Sequence, residues 1–137
     1  MLRSILTACL ALASGPVLAE SINAKLVCGP HSGDPGRLRA FQVIVPFEVS
    51  PGRLEGKRVL PENGGGQETF VGAISSDGRV QLSGQGSYTS GASWVYEFTG
   101  MRAKNKDTVL RGKLTSTLGP VGGRECTMGF ARSRPSI

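Results

Sequence analysis

The chain has 137 residues, 39% of them hydrophobic, with 20 glycines and a formal net charge of +6. That length holds one domain with its own core, burying roughly two-thirds of its unfolded surface. The basic residues are scattered among Glu48, Glu55, Glu97 and Glu125, and only Arg102, Lys104 and Lys106 cluster. A continuous basic stripe is therefore excluded, and nucleic acid is not an expected partner.

Residues 1–19 have the order of a cleavable secretory signal. Arg3 supplies the basic start, Ile5 to Ala13 the apolar segment, Ser14-Gly15-Pro16 the break, and Val17-Leu18-Ala19 the small-residue cleavage site. The run is too short to span a bilayer as a helix. Leu6 to Cys9 matches a lipidation box superficially, but most of the apolar segment follows it, so a cut between Ala19 and Glu20 fits better. Residues 20–137 then form a single all-β domain in the periplasm or secreted from the cell. Its charge is +5, because Arg3 is lost and all ten acidic residues stay.

Alternation with period two recurs along this segment, the pattern of strands with one wet and one buried face. INAKLVC opens the series, and FQVIVPFEV and RLEGKRVL follow around the turn Ser50-Pro51-Gly52. Residues 79–88 place Val80, Leu82, Gly84, Gly86 and Tyr88 on one face. Residues 93–101 put Trp94, Tyr96, Phe98 and Gly100 together, and residues 109–117 do the same with Leu110, Gly112 and Leu114. RECTMGFA closes the series. Asp77-Gly78 marks a tight hairpin. Two connections, 29–39 and 61–67, read as longer loops. About eight strands joined mostly by short links predict an antiparallel up-and-down meander.

Two architectures accommodate eight strands, a closed barrel or a two-sheet sandwich. Cys28 shares its face with Ile22, Ala24 and Leu26, and Cys126 shares its face with Met128 and Phe130. Two inward cysteines in an exported chain predict one disulfide, and a disulfide needs Cα atoms within about 7 Å. First strand beside last means a small barrel closed by one bond, with the sandwich as alternative.

Catalytic chemistry is thin, and the chain is not expected to be an enzyme. The only histidine, His31, falls in the 29–39 loop with Asp34 three residues on, which is short of a zinc site and leaves an exposed loop histidine as the reading. Gly52 to Arg58 has the wrong spacing for a phosphate-binding loop and lies in a strand. The glutamates fall mostly at outward strand positions. No metal and no cofactor is expected. Ligand-lining candidates are Trp94, Tyr96, Phe98 and Tyr88. Neighbouring strands put Gly84, Gly86 and Gly112 on the same inner face as the first three, so the rings either fill the space the glycines leave or line a pocket there. Strand parity puts the 29–39 and 61–67 loops at one rim, bringing His31, Asp34, Arg37, Arg39, Glu62 and Asn63 to one mouth.

In architecture the chain resembles small exported β-barrels, among them lipocalin-like and avidin-like binders and periplasmic protein inhibitors of hydrolases. The likeness rests on signal, strand count, glycine usage and the disulfide. The lipocalin-type Gly-x-Trp near the first strand is absent, since the one tryptophan is Trp94, and no functional residue is carried over. The expected function is a non-enzymatic binding module of the bacterial envelope, contacting a small apolar or anionic ligand or an envelope component. The alternative is a periplasmic inhibitor of a hydrolase, docking through the 29–39 and 61–67 loops.

Overall fold

The computed structural model describes residues 19–132. The cleavage segment, apart from Ala19, and Cys9 lie outside the described residues. The strands are β1 (Glu20–Cys28), β2 (Phe41–Ser50), β3 (Arg53–Leu60), β4 (Gly66–Ile74), β5 (Arg79–Tyr88), β6 (Ser93–Met101), β7 (Thr108–Leu118) and β8 (Gly123–Phe130). Each pairs antiparallel with its chain neighbour, and β8 returns to β1, so the sheet closes as an up-and-down barrel. Closure removes the sheet edges that an open meander of this length would expose. The longer loops are bounded slightly differently from expectation: Gly66 and Gln67 already belong to β4, paired with Leu60 and Val59.

Cys28 and Cys126 stand directly opposite each other in the β1–β8 ladder and are bonded, with Cα atoms 4.1 Å apart. The bond spans a sequence separation of 98 residues. A loop of that order, about 100 residues, carries a chain-entropy stabilisation of roughly 4–5 kcal/mol.

Two seams of the barrel are paired over only part of their length. β2 pairs with β3 only from Phe47 to Ser50, so Phe41–Pro46 of β2 and Lys57–Leu60 of β3 face each other without a ladder. Pro46, which has no backbone donor, sits next to the last pair, where a proline is tolerated because the ladder stops. At the opposite end, among the described residues, β1 pairs with β8 from Lys25 to Cys28.

The interior follows the predicted parity. Leu26, Val45, Leu82, Tyr96, Leu110 and Met128 are among the fully buried side chains. Aromatic rings form a column along the axis. Tyr96 packs on Phe70 at 5.1 Å between centroids, Phe70 on Phe47 at 5.8 Å, and Phe47 edge-on to Phe130 at 5.0 Å. Glycines make the column possible: a Cβ at Gly84 would run into the Phe70 ring, and one at Gly56 into Phe47. Edge and tilted pairs of this kind contribute about 0.5–1.5 kcal/mol each beyond their burial. The column plugs the middle of the barrel and leaves a cup at each end.

Candidate ligand cavity at the Trp94 mouth

Four connections share one end of the barrel, β1–β2, β3–β4, β5–β6 and β7–β8. Beneath them lies a cavity of about 530 Å³, inside the range of roughly 300–1,000 Å³ typical of small-molecule sites. Phe41, Tyr88, Trp94 and Tyr96 form its aromatic walls, and Arg37, Arg39, Arg58 and Arg124 bring positive charge to it. Of the six rim residues expected from the sequence, His31, Arg37, Arg39, Glu62 and Asn63 line this cavity. Asp34 does not. Its carboxylate accepts the Arg37 amide within the loop, at 3.3 Å. Among the aromatic candidates, Phe98 lies deeper, stacked on Tyr96 within the packed core and outside the cavity wall.

The floor is built around Glu68, a residue that the outward placement of glutamates passes over. Glu68 is 1% exposed. Its parity on β4 is that of Phe70, Gly72 and Ile74, so it points inward. Arg58, directly opposite on β3, donates from Nε at 3.0 Å and Nη2 at 2.9 Å to Glu68 Oε1. Trp94 Nε1 donates to Oε2 at 2.8 Å, and Tyr96 Oη donates to the same oxygen at 2.5 Å. An ionised carboxylate survives burial only when its charge and lone pairs are met. Here one cation and two neutral donors meet them.

Gly86 is what lets the indole arrive. It lies between Glu68 on β4 and Trp94 on β6, one ladder step from each. A Cβ at Gly86 would collide with Cε2 and Nε1 of Trp94. With no side chain there, the indole lies across β5 and reaches a strand it does not pair with. Tyr88 packs against the same indole at 5.2 Å between centroids. Burial, then the neighbouring Glu68 charge, pushes the Tyr96 hydroxyl far above its ordinary value, so it stays a donor. Tyr88 is also raised, through burial and then the charge of Glu62.

His31 is buried, at 3% exposure, which overturns the exposed-loop reading. The Gly33 amide donates to its Nδ1 at 3.0 Å, so the ring proton sits on Nε2 and donates to Ser116 Oγ at 3.0 Å. The imidazole thus ties the β1–β2 loop to β7. That loop is pinned elsewhere too. The Ser32 amide donates to Gly123 O, and Ser32 Oγ accepts the Gly123 amide. Arg124 Nη1 donates to Gly29 O at 2.9 Å and Arg39 O at 2.7 Å, while its guanidinium lies 4.9 Å above the Phe41 ring. The loop over the mouth is therefore a fixed wall.

No group of three or more potential metal ligands occurs among the described residues. Comparison with family models, curated proteins and solved structures finds no match to this chain.

A signal for Glu68 and Arg58 was present in the sequence. Both keep strict period two with apolar or glycine neighbours on their strands, and Arg58 and Glu68 lie either side of a single hairpin. Arg124 likewise shares the parity of Cys126. The burial of His31 had no local signal, because contacts with β7 and β8, about 90 residues away, produce it.

Proposed function

We propose that the protein is a non-enzymatic binder that takes a small ring-shaped ligand bearing an anionic group into the Trp94 mouth. The cavity beside Trp94, walled by aromatic rings above a saturated Glu68 floor, carries this reading. Rings favour a flat apolar body, and Arg37 and Arg39 at the open rim offer charge-assisted donors to an anion. Glu68 is an unsuitable general base, since both oxygens are already occupied by donors of the chain itself. That supports binding over catalysis. The disulfide fits an oxidising compartment, in keeping with export to the bacterial envelope. The partly unpaired β2–β3 seam borders this cavity, with Phe41 and Val43 on one side and Arg58 on the other.

Trp94 is the one tryptophan, so its emission reports on this mouth alone. Titration with naphthoate and phenyl phosphate should give a saturable change in emission. An Arg37→Glu, Arg39→Glu double variant should weaken it roughly tenfold, as expected when about 1.4 kcal/mol of charge complementarity is lost. Saturating probe without any change in emission would defeat the reading.

A second reading, inhibition of a hydrolase through the same rim, draws on the β7–β8 turn, where Leu118 and Val121 are 60% and 90% exposed. A pull-down from envelope extract with wild type and with a Leu118→Ser, Val121→Ser variant separates the two. Recovery of a hydrolase by wild type alone favours inhibition.

A further inference from the structure

The opposite end of the barrel holds a second cavity of about 530 Å³, separated from the first by the aromatic column. Its chemistry differs. Its apolar lining is mostly aliphatic, Ile22, Val49, Leu54, Ile74 and Leu110 with Phe130, while Thr108, Ser75 and Ser76 add hydroxyls. Ile22, Val49 and Ile74 are only half-buried, so apolar surface faces the opening. Arg102, Lys104 and Arg132 stand around the rim against Glu20 and Asp77. The Asp77 carboxylate is turned back into its own hairpin, where Ser75 Oγ and the Arg79 amide bond it. The β6–β7 connection that carries Arg102 and Lys104 is anchored over that hairpin, with the Arg102 amide donating to Gly78 O at 2.7 Å. Among the described residues the β1–β8 ladder stops at Lys25–Gly129, so Ile22 lies beyond its last pair.

We infer that this second cup binds the alkyl chain of a single-chain anionic amphiphile, a monomeric fatty carboxylate. Its carboxylate would meet Arg102 and Lys104 at the rim. Three features converge on that class. The deepest lining, Leu54, Val80 and Leu110, is aliphatic and buried, and the Thr108 hydroxyl beside it already accepts the Ala103 amide at 2.9 Å, which suits a plain hydrocarbon chain. The cations sit only at the mouth, which suits a single terminal charge. Ile22, Val49 and Ile74 leave half-buried apolar surface toward the opening, which suits the chain carbons next to the headgroup. This site stands independently of the Trp94 mouth, whose walls are aromatic and whose floor is charged.

The test titrates the purified protein with sodium decanoate below its micelle point, followed by amide NMR and by Trp94 emission. Shifts should gather at Ile22, Ile74 and Leu110, with Trp94 emission unchanged. An Arg102→Glu, Lys104→Glu variant, altered only at exposed positions, should bind decanoate about tenfold more weakly, the size expected for losing two rim charges and reversing them. Ile74→Phe should fill the cup and abolish binding, with a melting curve confirming that the variant is folded. Equal affinity for decyltrimethylammonium would overturn the inference. So would shifts centred on Trp94, an undiminished affinity in the charge-reversed variant, or binding only to vesicles of anionic phospholipid.

Discussion

Glu68 is satisfied entirely by side chains of the barrel itself, and each partner reaches it for a separate reason. Arg58 is its ladder neighbour, Trp94 comes over the gap at Gly86, and Tyr96 is delivered by the next inward position on β6. Gly86→Ala should therefore act far beyond its one methyl. The indole must move off β5, the Trp94–Glu68 hydrogen bond breaks, and one carboxylate oxygen is left with Tyr96 alone. Overpacking of this kind costs about 1–3 kcal/mol. A red-shifted Trp94 emission together with a lower urea midpoint is the expected result. An unchanged emission maximum would mean that the indole does not depend on the gap. Sequence parity already placed Gly86 and Trp94 on one face. Parity placed Glu68 on that face as well, but the general rule that a strand glutamate belongs to the wet face outweighed it.

The strands were legible nearly to their ends, because period-two alternation is a local pattern that each strand writes for itself. The loops were not. The 29–39 connection carries Gly, Pro, Ser and Asp, the composition of a mobile turn-rich segment, yet it is fastened to β7 and β8 by His31, Ser32 and Arg124. Those bonds join residues about 90 positions apart, and no local pattern encodes them. Arg124 is the main fastening. Its partners are backbone carbonyls, and partial burial lowers its pKa from the ordinary arginine value without discharging it. Arg124→Ala should leave the barrel strands protected in hydrogen exchange while the amides of residues 29–39, including the His31–Leu38 bond, exchange faster. A stability loss of about 1–3 kcal/mol is expected, as for hydrogen bonds to a charged group. Uniform loss of protection across all eight strands would show that the loop is part of the cooperative core instead.

For the whole molecule, the aromatic column and the disulfide define one closed barrel with two unlike ends. Its pH response follows from the buried phenols. Tyr96 and Tyr88 both sit above the ordinary tyrosine value of 10.0 in the folded protein. A raised pKa means that the folded state keeps a proton which the unfolded chain releases first. The stabilisation is complete below pH 10 and is lost as pH climbs beyond it, at about 1.4 kcal/mol per pH unit for each fully retained proton. Urea midpoints at pH 8 and pH 11 should differ accordingly, and Tyr96→Phe should flatten that difference. An equal pH dependence in Tyr96→Phe and wild type would exclude Tyr96 as a source.

By itself the sequence determined the alternating strands and the inward cysteines, which favoured a barrel over a two-sheet sandwich; the closed ladder decided between them. The strands and the inward positions are set by period, parity and turn chemistry, which act over a few residues, with the Cys28–Cys126 disulfide as the one long-range constraint that shared inward parity suggested. Only the tertiary structure decided that the interior holds a plug between two cups. It also decided that a glutamate is buried beneath one cup and that the histidine loop is a fixed wall. These depend on which side chains fill the gaps left by glycines on neighbouring strands. That packing exists only once the barrel has closed.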